Sequence, residues 1–224
     1  MAAPSGSVSP QMAGLIASLR AAFSTDPTIR HAADKRLQSF ETVPGYCGLL
    51  MQIITSPGAF ERDTRLLAVV CVHNTVRRHW SRRPGQRRTL YTLPDAERTD
   101  LRTKLIAHMT EPDGLVARRL AVVVARVARI DWPRRWPDML STLVGHLRTG
   151  GLVTDRALFT LFKVIKEKAS QARGIGGKPF MELSAAVIPL VSTLWQAGVK
   201  GLFAAAYVCQ PHVVLCVLCC AVVC

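Results

Sequence analysis

Arg129–Leu140 reads RIDWPRRWPDML. Two Trp-Pro dipeptides stand four residues apart with two arginines between them, and half of the chain's four tryptophans are here. Interleaved rings and guanidinium groups suit a binding strip. They also suit a corner between two helices, since proline fits the first helical position, where its missing N–H costs little. The flanks decide. Leu115–Ile130 upstream and Met139–Leu147 downstream both repeat apolar residues at helical spacing. The stretch is therefore read as a junction. Ile130 closes one helix and Asp131 caps. Pro133 and Pro137 take first helical positions, and Trp132 and Trp136 pack into the groove between two helix pairs. Arg134 and Arg135 keep their heads in solvent.

The same periodicity runs outward in both directions. Met12–Ser24, Thr28–Thr42, Tyr46–Thr55, Asp63–Arg82, Asp95–Met109, Asp155–Ser170 and Phe180–Gln196 read as further helices. Asp26-Pro27, Ser56-Pro57-Gly58, Leu93-Pro94-Asp95 and Glu111–Gly114 punctuate them with turn and cap residues. The helices come in pairs whose second members begin near Thr28, Asp63, Gly114 and Thr154. Pair spacings of roughly 40 to 47 residues mark HEAT or armadillo repeats, and an insertion around Ser81–Thr92 accounts for the longest step. The expected fold is all-α, a right-handed α-solenoid of HEAT-type helix pairs with about four to five repeats. A four-helix bundle would not require so many helices in a repeating pair. A solenoid offers an extended face made by one helix of each pair, suited to a macromolecule rather than a small substrate. Residues 1–11 read as a disordered leader, 12–198 as the repeat domain and 199–224 as a separate hydrophobic, Cys-rich tail.

The chain of 224 residues is 49% hydrophobic and 6% aromatic, with a formal net charge of +14. That surplus attracts acidic partners, nucleic acid or anionic membrane and is silent about fold. Of the 29 basic residues 22 are arginine, the side chain that grips carboxylates and phosphates with two parallel hydrogen bonds. The start lacks a basic segment and apolar run of a signal peptide. Cys47 and Cys71 sit within apolar helical patterns and read as buried free thiols.

The residues also carry a resemblance. AADKRLQSFETVPGYCGLLMQIIT, RLLAVVCVHNTVRRHW and ARRLAVVVARVARIDWPRRWPDMLSTLVGHL are similar to the N-terminal repeats of importin-beta (karyopherin-beta) nuclear transport receptors. The helix ending LQSFE, the Pro-Gly turn and the Leu-Leu helix resemble the first repeats. Arg65, Leu67-Ala68, Asn74 and Trp80 fall at positions of the second. The Arg-Trp-Pro junction after the Ala-Arg-Ile-Asp helix end resembles the importin eleven branch most, and the match covers roughly Met12–Gln196. The resemblance implies a protein that works by reversible protein–protein binding, not an enzyme, and needs no cofactor. It implies that the first repeats bind the GTP form of the small GTPase Ran through the second helix of each pair. Protein cargo and nuclear-pore Phe-Gly repeats would bind largely further along, with shuttling between cytoplasm and nucleus and location at the nuclear envelope and pore. Carried over by position, the Ran-facing candidates are Lys35, Gln38, His73, Asn74, Arg77, Arg78, Arg118 and Arg126. The chain departs from the family in having His73-Asn74 where a Lys-Asn pair is usual, a longer Arg-rich Ser81–Thr92 segment, and a basic rather than acidic balance.

Other motifs are weaker. RRHWSRRPGQRR at Arg77–Arg88 holds six arginines; it fits a nucleic-acid or localisation patch, or a helix end running into a solvated loop, and the loop is preferred. GIGGKP at Gly174–Pro179 lacks the first glycine and the Ser/Thr of a phosphate loop and reads as a turn. No HExxH, GxSxG or acidic metal loop occurs, so no catalytic residue and no metal is expected. In the tail, Cys209, His212, Cys216 and Cys219 lack the turns and polar surroundings of a zinc site. Pro211-His212 breaks the apolar run short of a membrane span. Membrane anchoring or acylation of the tail is one alternative, and sequence unrelated to the family, from splicing or read-through, is the preferred one. Two other functional readings stand beside Ran binding: a basic α-solenoid adaptor or RNA-binding scaffold, and a truncated isoform with little transport activity.

Overall fold

The structure, a computed structural model, describes residues 9–81 and 91–172 and isolated positions between 185 and 196. Among the continuously described residues eight α-helices follow in order: α1 Pro10–Ala21, α2 Pro27–Phe40, α3 Tyr46–Ile54, α4 Arg62–His79, α5 Asp95–Ala107, α6 Gly114–Asp131, α7 Met139–Leu147 and α8 Gly151–Ala172. A 3-10 turn, His108–Thr110, links α5 to the loop before α6. No strand occurs among the described residues.

Local sequence explains the helix starts. Ser9 and Asp26 accept hydrogen bonds from Met12 N and Thr28 N, and each is followed by a proline at the first helical position. Asp113 accepts from both Leu115 N and Val116 N at the head of α6. α3 has no local cap: Gly45 precedes it at φ +83°, a conformation that favours glycine. Glu97 of α5 supplies the missing acceptor, taking Gly45 N at 3.2 Å and Cys47 N at 3.1 Å.

The helices pack as four pairs, α1 on α2, α3 on α4, α5 on α6 and α7 on α8. First helices neighbour one another through α3, α5 and α7, and second helices through α4, α6 and α8. Two layers with nearest-neighbour contacts are the arrangement of an α-solenoid. Between the layers runs one continuous core. Leu50, Ile53 and Ile54 of α3 meet Ala68, Val72 and Val76 of α4, and Val116, Leu120, Val124 and Val127 of α6 continue it to Ala157, Leu161 and Val164 of α8. Each fully buried aliphatic side chain contributes about 1.5–3 kcal/mol relative to exposure.

Most helix ends shift by one to four residues from the sequence reading, and three of these shifts have a clear local setting. α1 takes in Pro10 and Gln11, assigned to the leader, because Ser9 caps it. α8 starts at Gly151, a full turn before Asp155; Gly150 and Gly151 adopt φ +88° and +56°, which makes the sharp entry available. α6 runs on through Asp131. Asp131 is thus not a cap: it is 1% exposed and accepts from Arg102 at 2.8 Å. Pro133 follows a cis peptide bond in a turn, and Pro137 lies ahead of Asp138, which itself precedes α7. Neither proline opens a helix. Trp132 and Trp136 are both buried, while Arg134 and Arg135 are exposed. Lys168 of α8 donates to the carbonyls of Trp132 at 2.9 Å and Arg129 at 3.1 Å, with its ammonium over the Trp132 ring. Residues 82–90, Gly174–Pro179 and the tail Val199–Cys224 lie outside the described residues. So does most of Phe180–Gln196, although positions 185, 187–189, 192–193 and 196 are helical.

Candidate functional site

Because α4, α6 and α8 lie side by side, each has one stripe against the first-helix layer, two flanks against its neighbours and one stripe left open. Helical geometry, at 3.6 residues per turn, assigns residues to that open face. On α4 it holds Leu67, Val70, Asn74 and Arg77; on α6, Leu115, Arg119, Val122, Arg126 and Arg129; on α8, Phe159, Phe162 and Lys166. Burial agrees. Val70, Leu115 and Val122 are exposed aliphatic residues, and Arg77, Arg119 and Lys166 are exposed cations. On α2, which buries Ala33 and Leu37, Lys35 and Gln38 are exposed on the side opposite those two residues.

Of the eight sequence candidates, Asn74, Arg77 and Arg126 share this face, and Lys35 and Gln38 are exposed on α2. His73 lies on the flank of α4 that meets α6. Burial, then Arg126 and Arg77, push its imidazole below the ordinary value of 6.5, so it is neutral at pH 7. Arg118 is exposed but turned toward α8, and Arg119 beside it faces more directly outward. Arg78 turns the other way. Its guanidinium donates to Glu41 at 2.7 Å, and His79 shares that carboxylate at 3.1 Å. Arg78 is a tie between the first and second pairs, not an open cation. Sequence spacing alone could not find this, because Glu41 is 37 residues away.

Arg129 was missed. Together with Arg126 it reaches Glu167 of α8, at 3.5 and 3.8 Å. Both separations are longer than the 2.7–2.9 Å of a tight charge-assisted bond. Arg126 Nε is buried and has no hydrogen-bond partner among the described residues. The signal available in the sequence was the i, i+3 repeat of Arg126 and Arg129 on the open stripe.

No group of three or more metal-ligating side chains occurs among the described residues. No described helix is long and apolar enough to cross a membrane. Cys47 and Cys71 are buried free thiols, and burial raises the Cys71 thiol to about 11, which leaves it unreactive at neutral pH.

Comparison with known proteins agrees with the helix-pair architecture. The family described as the importin-beta N-terminal domain matches residues 33–111, from α2 to the loop before α6. Importin-11 of Homo sapiens is 32% identical over 178 residues, covering 79% of this chain and 18% of that protein. Exportin-2 of Pagrus major is 28% identical over 136 residues, covering 59% of this chain and 13% of that protein. Lph2, a bidirectional nuclear transport receptor of S. cerevisiae, superposes with a TM-score of 0.70 at 21% identity, over 90% of this chain and 20% of that one. The exportin Cse1 in its cargo-free, cytoplasmic state does so with a TM-score of 0.70 at 16% identity, over 87% of this chain and 20% of that one. These two likenesses carry the fold. The chain spans less than a fifth of the length of the curated relatives just named. By domain and by relatives, the chain belongs to the importin-beta family, residues 33–111 matching its N-terminal domain.

Proposed function

We propose that this chain is the Ran-binding N-terminal portion of an importin-beta-type nuclear transport receptor, engaging the GTP form of Ran in nucleocytoplasmic protein import. One observation supports the reading: Asn74 and Arg77 of α4 and Arg126 of α6 line the open stripes of adjacent second helices, and Lys35 and Gln38 are exposed on α2, the second helix of the first pair. A rim of polar and cationic side chains on a rigid helix layer sets on-rate and specificity toward a charged partner without chemistry of its own. Cargo and nuclear-pore Phe-Gly repeats are assigned to further repeats of a longer receptor, and a shuttling distribution between cytoplasm and nucleus follows. The reading is tested with the full chain and Ran loaded with GTP or GDP, by calorimetry. Tighter binding of the GTP form, weakened by Arg77→Ala with Arg126→Ala, is expected. Equal affinity for the two nucleotide states, or none, would sink it.

A second reading is favoured by the net charge of +14 and the exposed Arg77, Arg118 and Arg119. It is a basic solenoid adaptor or RNA-binding scaffold, whose binding falls steeply with salt and ignores the nucleotide state of Ran.

A further inference from the structure

The open face carries more than scattered cations. At the level where His73 of α4 meets Arg126 of α6, two guanidinium groups, those of Arg126 and Arg129, share one carboxylate, Glu167, and exposed Arg77 adds a third positive charge beside His73. Glu167 is itself about one-third exposed, and neither of its contacts is short. Arg126 Nε, buried and unpartnered among the described residues, is a donor already stripped of water. One helical turn toward the N-termini, about 5.4 Å away, the same stripes change character. Val70 and Val122 are 40% and 36% exposed, with Phe159 on α8 beyond them. The face is therefore a short apolar row alongside an under-neutralised cationic node.

We propose that this node and row form a docking site for an acidic segment of a partner protein, with one or more of its carboxylates at Arg126 and Arg129 and an aliphatic side chain against Val70 and Val122. The inference rests on the reading that the open face is where partners bind, and it does not require that the partner be Ran. Charge complementarity selects the occupant. A second copy of this chain, at +14, repels the site. Single-stranded nucleic acid takes exposed rings to stack on; the rings of this face, Phe159 and Phe162, are half-buried and already lie under the Lys163 ammonium, at 5.1 and 5.7 Å. Paired guanidinium groups beside an aliphatic row suit carboxylates interrupted by Leu, Ile or Val, at three- or four-residue spacing if the segment is helical.

The site is tested with the full chain and a fluorescein-labelled peptide that places Leu at helical spacing among Glu, read by anisotropy. Counterparts carry Ser for Leu or Lys for Glu. The Glu-Leu peptide should bind, the Lys counterpart should not, and the Ser counterpart should bind about tenfold more weakly. Arg126→Gln with Arg129→Gln should also weaken the Glu-Leu peptide about tenfold. If that double variant loses its cooperative unfolding transition, exposed Arg77→Gln replaces it. Equal binding of the Glu and Lys peptides would overturn the proposal. So would full affinity in a folded arginine variant, or a polyuridine strand that binds the chain and displaces the peptide. Peptide binding without nucleotide-dependent binding of Ran would leave this site standing and remove the Ran reading; the reverse result would do the opposite.

Discussion

Arg65 of α4 and Glu111, in the loop ahead of α6, meet at 2.6 Å with side chains only 4% and 3% exposed. Arg65 Nε also donates to the Ile54 carbonyl at 2.7 Å. The pair crosses from the second helix pair to the third. Removing one member of such a pair strands a buried charge, which costs about 3–5 kcal/mol. Glu111→Ala should lower the unfolding free energy by about that amount. Arg65→Met with Glu111→Met should cost much less, because no lone charge remains. Urea denaturation of the two variants checks the ranking.

Glu97 caps a helix to which it does not belong. Its carboxylate takes Gly45 N and Cys47 N at the start of α3. Glu97→Ala should cost about 1 kcal/mol, the usual loss of an N-terminal cap. Hydrogen exchange should speed up at the first turn of α3 more than in α5, where the mutation sits. Equal changes in both helices would mean that Glu97 acts through α5 alone.

His73 gives a pH dependence with a definite sign. Burial, then Arg126 and Arg77, lower its folded value below 6.5, opposed by Asn74 and Glu167. The unfolded chain therefore takes up its proton first as pH falls. Stability from this site is complete above pH 6.5 and is lost as pH falls from there through the depressed folded value. His108 is shifted the same way, mainly by burial and also by Arg65. His73→Gln should flatten part of the fall in thermal midpoint below pH 6.5, and adding His108→Gln should flatten more. A slope unchanged in the double variant would refute the assignment.

Trp132 and Trp136 are buried at the junction of the third and fourth pairs. Each replacement by Ala should cost about 3–5 kcal/mol. Neither ring is on the open face, so Ran affinity in a variant that stays folded should change by less than about threefold. A larger loss of affinity than of stability would return the tryptophans to a binding role.

Most of the fold was legible because its helices are amphipathic and its punctuation is local. Asp26-Pro27 and Asp113 announce α2 and α6 through atoms two or three residues away. Long-range ties were not legible. Glu41 holding Arg78, and Glu97 capping α3, depend on contacts 37 and 52 residues apart that periodicity does not encode. Of the candidate face, the residues on the outward stripes could be read from helical phase. What could not be read is which cations are already neutralised: Arg78 is, while Arg126 and Arg129 share one loosely held carboxylate. The Trp-Pro stretch was correctly read as a corner but wrongly resolved in detail, because Asp131 pairs with Arg102 of α5 and the Trp132 carbonyl accepts from Lys168 of α8, contacts that its neighbours in sequence do not encode.

The crossing contacts bear on how the molecule can be divided. A cut between the second and third pairs would leave Arg65 in one piece and Glu111 in the other, and would part Glu97 from the head of α3. A cut between the third and fourth would take Lys168 and Arg156 from the carbonyls they serve. Each repeat borrows polar partners from the next, so the repeat is a unit of description but not of autonomy. A fragment trimmed at a helix-pair boundary inherits half-finished bonds on its new surface, and its insolubility would say nothing about the pair that was kept.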